Sequence, residues 1–202
     1  PITKSVEQVN TGSRVPQIMR RAFSNLRLGR LGPVMVEIPA DVAVEEVDES
    51  ALVYQNIKPT RGSADLRDVD EAAKVLVDAR APVITAGQGV LYAEATPQLV
   101  ELAELLGAPV MTTLAGKSGF PENHRLALGT GSSTSSAPVI HFLLKADVVF
   151  GIGTSFTKHG MCVTIPSGKV MIQATNDPRD INKDYSIDHP MIGDAQLVLG
   201  QL

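Results

Sequence analysis

The spacing of apolar residues changes character partway along the chain, and that change predicts its organisation. From Ser13 to Gly29, the residues Val15, Ile18, Met19, Ala22, Phe23 and Leu26 recur at three-to-four spacing. This is the stripe of an amphipathic helix, with Ser13 as its cap and Gly29 as its stop. Val34-Met35-Val36-Glu37-Ile38 then reads as a short strand closed by Pro39. One helix and one strand do not make a core. From Asp41 to Gly62 no period survives: Glu45, Glu46, Asp48 and Glu49 are followed by Pro59-Thr60-Arg61-Gly62. A structureless stretch of that length is unusual inside a compact domain, so it reads as a connection.

After the connection, helical and strand patterns alternate regularly. A helix capped by Asp65 or Asp68 is predicted to run to Ala79, followed by a buried strand from Pro82 to Ala86 that ends at Gly87-Gln88-Gly89. A second helix starts near Glu94 or at Thr96-Pro97 and stops at Gly107. Strands are expected at Ala108–Thr113, within Leu126–Gly129, at Val148–Ile152, at Lys169–Gln173 and at Met191–Ile192. Helices follow Pro138 and Asp194. Such alternation predicts an α/β domain, Rossmann-like, with a mostly parallel sheet of about six strands between helical layers.

Two apolar runs end in Gly-x-Gly, at Gly87-Gln88-Gly89 and Gly151-Ile152-Gly153. A strand leaving a sheet this way exposes backbone N–H groups to which an anion can bind, although the same glycines serve a tight strand-to-helix turn. An NAD-type fingerprint also needs a small residue three places past the second glycine and an acid at the end of the second strand. Here Tyr92 and Thr112-Thr113 occupy those places, which disfavours NAD.

Composition narrows the function classes further. A hydrophobic fraction of 44% with 20% charged residues suits a folded core, and a net charge of −4 without a basic run gives no footprint for nucleic acid. No apolar stretch reaches the roughly 20 residues needed to cross a bilayer, and no signal-peptide layout opens the chain. With Cys162 as the only cysteine, a cytoplasmic protein is expected, and the four histidines lack metal-ligand spacing. The opening Pro1 suggests a processed or excised piece. Cys162 with His159 nearby, His124, the Glu45-Glu46 pair and the hydroxyl run Ser132-Ser133-Thr134-Ser135-Ser136 are the candidates for chemistry. None assembles an acid, a base and an electrophile. A binding cleft is predicted, without catalytic residues or a metal site.

The ordered motifs Pro1-Ile2-Thr3-Lys4, Gly32-Pro33-Val34 through Val42, Ala86-Gly87-Gln88-Gly89-Val90, Gly116-Lys117-Ser118-Gly119-Phe120-Pro121-Glu122-Asn123-His124, Ala146 through Gly153 and Asp177-Pro178 through Lys183 carry a resemblance over nearly the whole chain. It resembles the middle region of thiamine-diphosphate-dependent enzymes of the acetolactate synthase, benzoylformate decarboxylase and oxalyl-CoA decarboxylase group. The resemblance implies that residues 1–45 are the tail of a pyrimidine-binding domain, 46–62 a linker and 63–202 the central domain. It further implies that thiamine diphosphate and magnesium serve the parent enzyme without being bound by this chain. The family's Gly-Asp-Gly motif is absent, and Gly193-Asp194 leads into Ala195.

In such enzymes the central domain holds FAD, ADP or nothing. Carried over by motif, a nucleotide crevice is lined by Gly87, Gln88, Gly89, Thr113, Leu114, Gly153, Thr154, Asn176, Asp177, Gly193 and Asp194. Flavin-binding members have Arg-Phe-Asp-Asp where this chain has Ser155-Phe156-Thr157-Lys158, and an acid where it has Thr175, and both departures count against FAD. Two readings follow. One is a central-domain fragment acting as scaffold and subunit interface, inactive alone, partnered by the parent's other domains and assembling as a homodimer or tetramer. The other is a self-sufficient flavin or nucleotide carrier. The Val34–Ile38 strand, without a sheet of its own, is expected to leave an edge that invites pairing.

Overall fold

The computed structural model describes residues 2–202, and the chain divides into one compact unit through Arg61 and another from Gly62 to Leu202. In the first unit, helix α1 (Val15–Arg27) buries Ile18 and Ala22. It packs with strands β1 (Val6–Gln8) and β2 (Met35–Glu37), which form a parallel pair in the register Val6↔Met35. The strand read as an orphan therefore has a partner. Polar Glu7 and Gln8 hide β1 from a pattern reading, because three residues are too few to display a period of two. Val9, Ile18 and Val42 form a small core with Val15 and Val36 against it. Val42 comes from the short helix α2 (Ala40–Ala43).

Ser13 does not cap α1. It lies in a 3₁₀ turn, Gly12–Arg14, whose first N–H is held by the Glu45 carboxylate at 2.6 Å. Glu45 is thus an anchor for this turn. At the other end of α1, Lys4 Nζ donates to the carbonyls of Leu28 and Arg30, closing the helix beside left-handed Gly29.

The second unit is a six-stranded sheet in the order β5-β4-β3-β6-β7-β8. The strands are β3 (Pro82–Ala86), β4 (Val110–Thr112), β5 (Ala127–Thr130), β6 (Val148–Ile152), β7 (Val170–Thr175) and β8 (His189–Ile192). Every neighbouring pair is parallel. Numbered within this domain, the order is that of the doubly wound dinucleotide folds, and the direction of winding reverses between β3 and β6.

Alternate residues of each strand enter opposite apolar layers. Ile84, Phe150 and Ile172 face a layer with α3 (Leu66–Asp78), α5 (Thr96–Leu106) and α7 (Ala195–Gln201). Val83, Val149 and Met171 face the other, with α6 (Ala137–Lys145). Burial on both faces is why these strands read as unbroken apolar runs.

Side-chain caps set two of the helix starts. Asp65 and Asp194 accept from the N–H groups of the first turns of α3 and α7. Thr96 is not a cap: α5 begins with it, and its hydroxyl donates to Gly119 O instead. A separate short helix, α4 (Gln88–Tyr92), precedes α5, and Glu94 at φ 54° breaks the chain between them. No helix among the described residues is long and apolar enough to cross a membrane.

Candidate functional site

Because all six strands are parallel, their carboxyl ends share one edge, and every residue expected to line a crevice lies on it. Gly87, Gln88 and Gly89 follow β3, and Thr113 and Leu114 follow β4. Gly153 and Thr154 follow β6, Asn176 and Asp177 follow β7, and Gly193 and Asp194 follow β8. Gln88, Leu114 and Asn176 are exposed, whereas Gly87, Thr154, Asp177 and Gly193 are buried.

At the point where the winding reverses, the two glycine turns close on each other. Gly87 N–H donates to Ile152 O and Gly89 N–H to Gly153 O, each at 2.9 Å. A Cβ on Gly87 would lie 2.2 Å from Gly153 O, and one on Gly89 would lie 2.7 Å from Gly153 Cα. Gly153 itself has φ +62°. These glycines are required by the approach of one backbone to another. The N–H groups of Gly87, Gly89 and Gly153 are already engaged, so these three glycines are not free to receive an anion. Gly116, which the motif reading did not single out as a site residue, belongs to the same closure: its Cβ would fall 2.5 Å from Ala86 O. Its N–H donates to Thr113 Oγ1 at 3.0 Å, and Thr113 N–H donates to Ala86 O, so the loop after β4 is folded over the end of β3.

The acids on this edge are committed as well. Asp177 accepts from Arg179 Nε and Nη2 at 2.9 and 2.8 Å, a two-pronged ion pair, and from Arg179 N–H. Thr175, which stands where flavin-binding members were expected to have an acid, donates its hydroxyl to Asp180 Oδ2 at 3.2 Å and accepts from Asp177 N–H. Asp194 Oδ1 caps α7, and Gly193 packs where a Cβ would meet Val198 and the backbone at Ala64. The segment after Gly153 is pinned by Tyr185. Its hydroxyl accepts from Ile165 N–H, its ring meets Phe156 edge-on at 6.1 Å, and Lys158 Nζ sits 4.5 Å from the ring centroid.

The other candidate residues do not converge. His124 Nδ1 accepts from Leu126 N–H, which leaves Nε2 to face Glu104 Oε1 at 3.3 Å, and its ring packs edge-on against Phe120. Cys162 is half-buried and donates its N–H to His159 O. The hydroxyl run spends itself on its own loop: Ser135 Oγ and Ser132 exchange hydrogen bonds through the backbone, and Ser136 Oγ donates to Leu128 O. Among the described residues no group of three or more His, Cys, Asp or Glu is placed to hold a metal ion.

Comparison with known proteins agrees with this architecture. Residues 69–202 match the family described as thiamine pyrophosphate enzyme, central domain. A probable acetolactate synthase large subunit from Methanococcus aeolicus is 35% identical over 210 residues, covering 100% of this chain and 35% of that protein. Acetolactate synthase from Mycobacterium bovis is 36% identical over 207 residues, covering 100% of this chain and 33% of that protein. The crystal structure of benzoylformate decarboxylase from Polynucleobacter necessarius superposes with a TM-score of 0.81 at 24% identity, covering 100% of this chain and 38% of that one. At that identity the likeness is one of fold. The chain spans about a third of the length of the curated relatives it matches.

Proposed function

Because this chain belongs to the thiamine pyrophosphate enzyme family, as its central domain, we propose that it serves a larger thiamine-diphosphate-dependent carboligase or decarboxylase of 2-keto acids. Its part there is that of scaffold and subunit interface. The observation that carries this reading is the sealed turn pair at the carboxyl edge: Gly87 and Gly89 are bonded to Ile152 and Gly153, a geometry that stabilises a domain without delivering a reacting group. Chemistry is left to the parent's other domains. No Gly-Asp-Gly occurs in the sequence, and Asp194, the nearest counterpart, caps a helix.

The outer rim of the edge remains the candidate nucleotide crevice, with Gln88, Leu114 and Asn176 as its exposed members. Its residues count against FAD. Ser155 stands where flavin-binding members have an arginine, and the Thr175 hydroxyl is already bonded to Asp180. A missing charge-assisted contact of about 1.5–3 kcal/mol lowers affinity by up to about a hundredfold. The remaining domains of the parent chain and a second copy, as dimer or tetramer, are the proposed partners. Val6 and Met35, paired in register and 58% and 50% exposed, mark the unpartnered face of the small sheet in the first unit.

The purified chain, supplied with thiamine diphosphate and magnesium, is expected neither to decarboxylate nor to ligate a 2-keto acid, and turnover would overturn the scaffold reading. Thermal shift with ADP, CoA and FAD tests the rim. No flavin absorbance band is expected, and a bound yellow flavin would overturn the reading against FAD.

A further inference from the structure

Beneath the carboxyl edge, on the α6 side of the sheet, lies an arrangement that the crevice does not use. Thr85, Gly151 and Gln173 are register partners on β3, β6 and β7, so they stand side by side on one face. Neighbouring strands lie about 4.8 Å apart, which places Thr85 and Gln173 roughly 10 Å apart at the backbone, with Gly151 between them. The space over Gly151 is taken by the ring of Phe156: a Cβ at Gly151 would fall 2.2 Å from Phe156 Cζ and 2.3 Å from Cε2. The two flanking side chains are 4% and 0% exposed, and each keeps an oxygen, Thr85 Oγ1 and Gln173 Oε1, without a hydrogen-bond partner. The Gln173 amide nitrogen is spent on Thr154 O at 2.9 Å, so its oxygen remains an acceptor in need of a donor.

A hydrocarbon ring over Gly151 offers these neighbouring oxygens no donor, although buried polar atoms are nearly always paired. Phe156 also holds φ +47°, a conformation that bulky residues rarely adopt. Strain at a position whose neighbours are unsatisfied is the pattern of a site held in reserve. We propose that the space over Gly151 is a slot for one flat nitrogen heterocycle, with an N–H donor for Gln173 Oε1 and a second polar group for Thr85 Oγ1, and that Phe156 is its resident plug. When Phe156 leaves its edge-on contact with Tyr185 and swings out, the slot opens from the segment after Gly153. Affinity of the wild-type chain is reduced by the fraction of time the plug is seated. The slot shares Thr154 with the nucleotide edge, since Thr154 Cγ2 would lie 2.8 Å from a Cβ at Gly151, but Thr85, Gly151 and Gln173 are buried and are not among the rim residues.

The test uses uracil as the heterocycle and benzene as its apolar control, read by NMR on backbone amides. In Phe156→Ala, uracil is expected to bind saturably, at least about tenfold tighter than benzene and tighter than to the wild type. Adding Gln173→Leu should remove about tenfold of that affinity, the worth of one hydrogen bond of about 1.4 kcal/mol. If Phe156→Ala does not fold, the wild-type chain decides: saturable uracil-dependent shifts at Thr85, Gly151 and Gln173 support the slot. No saturable shift in any folded form, or benzene bound as well as uracil, overturns it.

Discussion

At the scale of single residues, the glycines divide by what surrounds them. Gly87 has no room for a methyl group, because its Cβ would sit 2.2 Å from Gly153 O and 2.7 Å from Thr154 Cα. Gly87→Ala is therefore expected to lower stability by about 2–4 kcal/mol in urea denaturation with no ligand present. Gly160, with nothing within 4 Å of its Cβ, should accept alanine within about 0.5 kcal/mol. Equal midpoints for the two variants would show that the turns do not depend on their mutual seal. Asp147 offers a second test. Burial pushes its carboxyl up, but N–H donors from Arg80, Ala81, Asp147 itself and Val148 outweigh burial and hold it below the ordinary 3.8. A folded value below the unfolded one means stability that is present above about pH 4 and lost as pH falls through the folded value. Asp147→Asn should cost about 1–2 kcal/mol at pH 7, with the difference from wild type shrinking as the pH falls below about 4. A difference that stays constant from pH 7 to pH 3 would contradict this origin.

At the scale of elements, α7 hangs on its cap. Asp194 Oδ1 accepts from Gln196 N–H at 3.1 Å and Leu197 N–H at 3.4 Å. Asp194→Ala should cost about 1 kcal/mol of unfolding free energy in the unliganded chain. If stability is unchanged while nucleotide binding falls, Asp194 is a ligand contact first and a cap second. The cap was legible in the sequence because an aspartate ahead of an apolar helical run has one common use. The strands were legible for a related reason, since both faces of β3 and β6 are buried and leave uninterrupted apolar runs. Elements defined by tertiary partners were not legible. β1 has three residues and a polar majority, and its place is set by β2. The break between α4 and α5 depends on the left-handed Glu94. The carboxyl edge could be read as a location, because strand ends locate it. The spending of the Gly87 and Gly89 amides could not, because the acceptors, Ile152 and Gly153, lie far along the chain.

At the scale of the whole molecule, the way the chain enters the larger unit matters most. Gln201 accepts from Ala64 N–H at 3.1 Å and donates to Ala64 O at 3.2 Å, as a neighbouring strand would. Asp194 N–H adds a bond to Gly62 O at 2.8 Å. Gln201→Ala removes both contacts to Ala64 and should cost about 1–2 kcal/mol, with faster tryptic cleavage after Arg61. An unchanged cleavage rate would mean the clamp does not hold the entry. Because Gly62–Ala64 and Gln201 meet at one corner, residues 62–202 form a cassette that a host protein can carry in a surface loop without stretching its own ends apart. Little ring-closure entropy opposes such a graft. Such a graft would move the sheet as one unit into hosts whose other parts bear no relation to it.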